Sequence, residues 1–148
     1  MNSIQYSNLE FKHLDGLKSL YENAFEMNDS NLDQMKVIFE TIKNNDNYHI
    51  LCAIDNNKIV GSVTGVICHE LYGNCSPFMV VENVAVLKDY RRRGIAKKLM
   101  EKLENKAREM NCGLILFVSS EHRKGAHKLY ESLGFGVDKV KGYRKRLK

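Results

Sequence analysis

Residues able to do chemistry concentrate in one stretch, Glu82-Asn83-Val84-Ala85-Val86-Leu87-Lys88-Asp89-Tyr90-Arg91-Arg92-Arg93-Gly94-Ile95-Ala96-Lys97-Lys98. An apolar run that reads as a strand ends, a short loop turns, and a helical pattern begins. The first turn of a helix leaves backbone N–H groups without partners and carries positive potential, so it usually opens with a Ser, Thr or Asp cap and acidic residues. Here Arg91, Arg92, Arg93, Lys97 and Lys98 crowd that positive end, and Gly94 and Ala96 leave little side chain over the backbone. An anion held on the N–H groups would relieve the repulsion. The competing reading is a solvated basic turn in which Gly94 only redirects the chain. Two phosphate motifs are excluded by spacing, since no Gly-Lys-Ser/Thr closes a glycine loop and one glycine does not make GxGxxG. Glu82 interrupts the apolar run two residues before Val84, so strict alternation puts both on one face. Apolar surroundings would raise its pKa and suit it to proton transfer near neutral pH. A salt bridge to a neighbouring helix is the plainer alternative.

The elements that must position these residues can be read from periodicity. Ile4–Leu9 is a short strand, and Leu14, Leu17, Leu20, Tyr21, Ala24 and Phe25 form one helical face, Tyr21 and Phe25 reading as core. Ser30 with Asp33 has capping-box spacing and introduces a helix with Met35, Ile38, Phe39 and Ile42 inward. Tyr48–Ile54 and Ile59–Cys68 are strands joined by Asp55-Asn56-Asn57-Lys58, a tight hairpin because Asn tolerates positive φ. Phe78–Val86 follows, then a helix over Ile95–Met110, a strand at Leu114–Val118 buried on both faces, and a helix over Lys124–Leu133 ending at Gly134. The tail, with Val137, Tyr143 and Leu147 among basic residues, reads as one or two edge strands. The fold class is therefore α/β: a mixed, partly parallel central sheet of six to seven strands with helices on both faces, in a single domain over residues 1–148.

Composition narrows the function. With 43% hydrophobic and 28% charged residues in 148, the chain is ordinary globular protein. No apolar run suffices to cross a membrane and the N-terminus lacks a signal-peptide pattern, so a cytoplasmic protein is expected. The four cysteines form no CxxC pair; reduced, mostly buried thiols and no metal are expected. Residues 1–90 carry 6 basic and 12 acidic side chains, net −6, whereas residues 91–148 carry 17 and 6, net +11. Such a division suits one cationic and one anionic ligand.

Arg91-x-x-Gly94-x-Ala96 after Val84-Ala85-Val86 resembles the acyl-CoA pyrophosphate loop of the GNAT (Gcn5-related N-acetyltransferase) superfamily. Ala126-His127-Lys128-Leu129-Tyr130-Glu131-Ser132-Leu133-Gly134-Phe135 resembles that family's second signature. The resemblance implies acetyl-CoA as acyl donor. Backbone N–H groups from Arg92 through Gly94 and Ile95 to Ala96 would hold the pyrophosphate, with Arg91, Arg93 and Lys97 around it. Val84, Ala85 and Val86 would take the pantetheine arm like an added strand, with the Val84 N–H facing the thioester carbonyl. Tyr130 matches the residue that protonates the departing thiolate. Where the family often has Asn, this chain has Arg123.

Acetyl transfer to an amine needs a base, an oxyanion donor and an acid. Glu82 is the candidate base or substrate anchor, the Val84 N–H the oxyanion donor if the strand bulges there, and Tyr130 the acid. A tyrosine packing by its ring is the alternative for Tyr130, and His127 reads as packed or solvated. The expected activity is direct acetyl transfer to a primary amine, with a small cationic metabolite favoured and the chain acting as a monomer or homodimer. A non-catalytic acyl-CoA sensor is the alternative. Nucleic-acid binding through Lys139–Lys148 is weighed against a solvated basic edge, and the edge is preferred.

Overall fold

The computed structural model describes residues 3–26, 29–138 and 140–148. The chain divides into two compact units, Met1–Leu116 and Phe117–Lys148. The first contains β1 (Gln5–Asn8), α1 (Leu14–Ala24), α2 (Leu32–Ile42), β2 (Tyr48–Asp55), β3 (Lys58–Cys68), β4 (Phe78–Val86), α3 (Ile95–Glu109) and β5 (Ile115–Leu116); the second contains α4 (Lys124–Ser132).

The five strands lie in chain order, β1 to β4 antiparallel and β5 parallel to β4 after the α3 crossover. The β2–β3 turn is the tight hairpin read from sequence: Asn56 and Asn57 take φ of +47° and +65° between the paired Asp55 and Lys58. Positive φ at both central residues matches the right-handed twist of the strands. One face of the sheet packs under α1, where Leu17, Leu20, Cys52, Ile59 and Ala85 form a buried cluster. The other receives α3, whose buried stripe is Ile95, Leu99, Met100, Leu103 and Ala107. Glycines on β3 let α3 come close. A Cβ on Gly61 would sit 2.9 Å from Ile95 Cγ2, and one on Gly65 2.9 Å from Leu103 Cδ2. The architecture is α/β with a mixed, partly parallel sheet flanked by helices.

Several expectations are corrected. The sheet has five strands rather than six to seven, because the tail adds none among the described residues. Val137, Val140, Tyr143 and Leu147 are 83–88% exposed, so no burial offsets the roughly 1–2 kcal/mol per residue that ordering a strand costs. Lys139, at the head of the basic segment, lies outside the described residues. The strand placed at Leu114–Val118 shrinks to Ile115–Leu116 and is not buried on both faces, since it pairs only with Met79 and Val80 and leaves Leu114, Leu116 and Val118 exposed. The α2 cap is Asn31, whose Oδ1 accepts from Gln34 N at 3.1 Å, not Ser30. Asn31 holds the extended backbone a cap needs, one residue nearer the helix. Ile38 on α2 faces outward, because the half-buried side of that helix runs along Leu32, Met35, Lys36, Phe39 and Ile42. Among the described residues no helix is long and apolar enough to cross a membrane.

All four cysteines are free, but only Cys52 is buried; Cys75 is exposed in the loop after β3, so the expectation of mostly buried thiols fails. Burial pushes the Cys52 thiol up to about 11. Because the thiolate is the nucleophile, Cys75 should alkylate rapidly at pH 8 while Cys52 stays unmodified until the protein unfolds, as peptide mass mapping over time would show. The folded chain keeps a proton that the unfolded chain releases near pH 9, so this group's stabilising contribution is complete below pH 9 and lost as pH rises toward 11.

Candidate active site

The loop between β4 and α3 is held by bonds that leave its backbone facing outward. Leu87 N donates to Val60 O at 2.9 Å, Tyr90 N to Leu87 O at 2.9 Å, and Lys88 N to Asn23 Oδ1 on α1 at 3.4 Å. Tyr90 OH donates to Asp55 Oδ2 at 2.9 Å, tying a 3₁₀ turn at Lys88–Tyr90 to the β2–β3 hairpin. That carboxylate acceptor raises the Tyr90 pKa, burial adding to it. Arg93 then lies 4.8 Å from the Tyr90 ring centroid, a cation–π contact. Arg91 turns back and donates from Nε to Val86 O at 3.2 Å. Two of the three arginines thus brace the turn with their side chains.

What the braced turn presents is backbone. Gly94 is the N-cap of α3 at φ +78°, with no side-chain cap and no acidic residue in the first helical turn. Lys98 N donates to Gly94 O at 3.0 Å as the first helical bond, so the N–H groups of Ile95, Ala96 and Lys97 precede the ladder. A Cβ built on Gly94 would meet nothing within 4 Å. Packing therefore does not explain the glycine, whereas its left-handed φ and the open space above it do. Arg92, at φ +62°, is a second left-handed residue in the same turn.

The second feature is a bulge in β4. Ser62 pairs with Ala85 and Thr64 with Glu82, so Asn83 and Val84 together oppose Val63. Asn83 takes φ +54°, the left-handed conformation of the first residue in a G1-type bulge. The extra residue overturns the alternation read from sequence: Glu82 shares its face with Ala85, not with Val84. Glu82 is also exposed, so it lacks the apolar enclosure expected of it. Beyond Val80, among the described residues of this unit, β4 carries no paired strand on its β5 side. Within this unit, therefore, the stretch Val81–Val86 has no strand partner on that side and leads to the basic turn.

Sequence reasoning missed the bulge. Tyr21, read as core, is half-buried and packs against the cluster beneath α1. Burial raises its pKa, with Thr64 and Asn83 opposing. The available signal was Asn83 itself, a turn-forming residue inside an apolar strand.

Tyr130 lies in the other unit, on α4, and the structure describes it there. Its ring stands edge-on to Phe117 at 4.5 Å and Phe135 at 6.4 Å, and it is 7% exposed. Burial raises its pKa, with Arg123 opposing, so the phenol keeps its proton at neutral pH. His127 Nε2 is 3.2 Å from Ser119 Oγ, a packed histidine as expected. Among the described residues no group of three His, Cys, Asp or Glu side chains could hold a metal ion.

The sequence pattern of the Acetyltransferase (GNAT) family matches residues 14–135. The chain belongs to the GNAT acetyltransferase family. It is 27% identical over 110 residues to an aminoglycoside N(6')-acetyltransferase type 1 of Salmonella typhimurium, covering 72% of this chain and 76% of that one. A candidate acetyltransferase of Agrobacterium tumefaciens superposes with a TM-score of 0.86 at 25% identity, covering 97% and 99% of the two chains. The aminoglycoside N-acetyltransferase AAC(6')-Iy, solved with CoA, shares the fold at a TM-score of 0.80 and 23% identity, covering 99% and 97%. This GNAT protein is an N-acetyltransferase.

Because Gly94 has open space but a left-handed backbone, Gly94→Ala should lower stability through conformation alone, by about 1–2 kcal/mol. Denaturant unfolding of the ligand-free protein measures this; no loss would mean the turn relaxes without cost.

Proposed function

We propose that this GNAT protein transfers an acetyl group from acetyl-CoA to the primary amine of a small cationic metabolite, directly and in a ternary complex. The observation that carries the reading is the start of α3. It has three N–H groups ahead of the helical ladder, no acidic cap, and open space at Gly94 within a ring of cations. Such a site fits a pyrophosphate. Backbone N–H groups of Arg92–Lys97 would hold it, with the Arg92 and Lys97 side chains adding charge, while Arg91 and Arg93 keep the turn in shape. The exposed edge Val84–Val86 would take the extended pantetheine arm as a strand takes its neighbour. When bound, acetyl-CoA supplies the acyl thioester.

The chain's own groups then divide the work. The Val84 N–H, turned by the bulge, donates to the carbonyl oxygen as charge builds there. Glu82 takes the proton of the ammonium, through water or directly; its exposure suits the end of the site where a cationic acceptor enters. Tyr130 keeps its proton through neutral pH and gives it to the leaving thiolate. The acidic N-terminal portion favours a cationic acceptor, and the aminoglycoside acetyltransferases similar to this chain are named for polycationic ones. The proposal treats both units as one cytoplasmic acetyltransferase domain, since the family pattern runs through them.

Calorimetric titration with acetyl-CoA, with CoA and ATP for comparison, is expected to show saturable binding to the two CoA compounds. Gly94→Glu should weaken it at least about tenfold by placing a carboxylate among the N–H donors. Absence of binding at millimolar acetyl-CoA would overturn the site. A thiol-release screen across small amines, neamine included, then finds the acceptor. Glu82→Gln and Tyr130→Phe should each lower kcat by roughly a hundredfold with acetyl-CoA affinity unchanged. Normal turnover in both would defeat this mechanism, and binding without turnover by any amine would favour the sensor reading.

A further inference from the structure

We infer that Asp55 and Tyr90 are positioning residues for the acyl donor: the hydrogen bond between them pins the basic turn to the β2–β3 hairpin and, through the Tyr90 ring, fixes Arg93 beside the N–H groups that would grip the pyrophosphate. The inference rests on the proposed donor site but adds to it two residues, one of them 35 positions before the other.

The turn needs an outside hold. Arg92 and Gly94 take φ of +62° and +78°, and of the two only the glycine adopts that region without strain. Arg91, Arg92 and Arg93 repel one another along it. The hairpin supplies a stiff anchor, because it closes tightly between the paired Asp55 and Lys58. From that anchor Asp55 Oδ2 accepts the Tyr90 hydroxyl at 2.9 Å in partly buried surroundings.

The same contact reaches the cations. Arg93 Cζ lies 4.8 Å from the Tyr90 ring centroid, and Lys58 Nζ lies 6.0 Å from it. A phenol donating to a carboxylate is polarised toward phenolate, so its ring attracts a cation more strongly. Stability alone does not account for the placement of Asp55. Its Oδ1 is buried with no hydrogen-bond partner among the described residues, a costly state that a solvated side chain at the hairpin would avoid. What the arrangement secures is a turn whose donors are set before an anion arrives, and preset donors bind with less loss to ordering.

The test uses Tyr90→Phe, Asp55→Ala and the double variant of the full chain. Calorimetry measures acetyl-CoA affinity, thiol release with the best acceptor from the amine screen gives kcat and KM, and NMR of the free protein records the Arg92 signals. Each single variant is expected to weaken acetyl-CoA binding about fivefold and to raise its KM in step, with kcat within about twofold. The double variant should bind within about twofold of either single one, since both substitutions break one hydrogen bond. The sign for Asp55→Ala separates positioning from plain electrostatics, because removing a negative charge near an anion site would by itself tighten binding. In Tyr90→Phe the Arg92 carbon shifts should move toward extended values. Tighter or unchanged binding in Asp55→Ala, losses that multiply in the double variant, or unmoved Arg92 signals overturn the inference. If the wild-type chain binds no acetyl-CoA, the proposed function fails separately, and the Arg92 signals still decide whether the pair holds the turn.

Discussion

The period of a β-strand is two residues, and β4 has to break it. Val81 pairs with Gly65 and Val86 with Gly61, both glycines beneath α3, although an odd number of steps separates the two valines. On the other face Glu82 and Ala85 stand opposite Thr64 and Ser62. A regular strand satisfies one end of this arrangement and inverts the other. One extra residue reconciles them: Val86 stays under the start of α3, Ala85 enters the cluster beneath α1, and β4 parts from β5 after Val80. That Glu82 shares a face with Ala85 while Val81 shares one with Val86 follows from that insertion.

The basic turn depends on the same strand for its footing. Like charges so close together would spread the loop if their side chains were all solvated. Instead Arg91 is fastened to the Val86 carbonyl and Arg93 to the face of Tyr90, which Asp55 holds from the hairpin. Their positive charge stays near α3 while their side chains stay clear of its N–H groups. An anion bound there, as proposed, would meet a potential already assembled and donors already aligned, so little reorganisation would oppose it.

Much of this was legible from residue types alone. Amphipathic spacing located α1, α3 and α4 to within a residue or two, Asn56-Asn57 announced the hairpin, and the run of arginines before Gly94 announced an uncapped helix start. What escaped was whatever depends on a break in period or on distant partners. Alternation put Glu82 beside Val84 because it assumes a regular ladder, and Asn83 says otherwise only to a reader who weighs one polar residue against an apolar run. Tyr21 looked like core, and it does pack, half-buried, against the cluster beneath α1. Leu114–Val118 and the tail carry the apolar content of strands, but apolar content alone does not supply a partner for the backbone.

The donors at the start of α3 belong to the main chain, which every residue but proline supplies alike. Recognition written into the backbone is largely blind to which side chains stand above it. On the proposed reading, a lineage carrying this fold would exchange many residues around the turn without losing an anion held there. The face where Glu82 and the α1 side chains stand would record every substitution directly. Such a fold would pair a half that resists mutational drift with one that responds to it, and new acceptor preferences would arise without rebuilding the donor site.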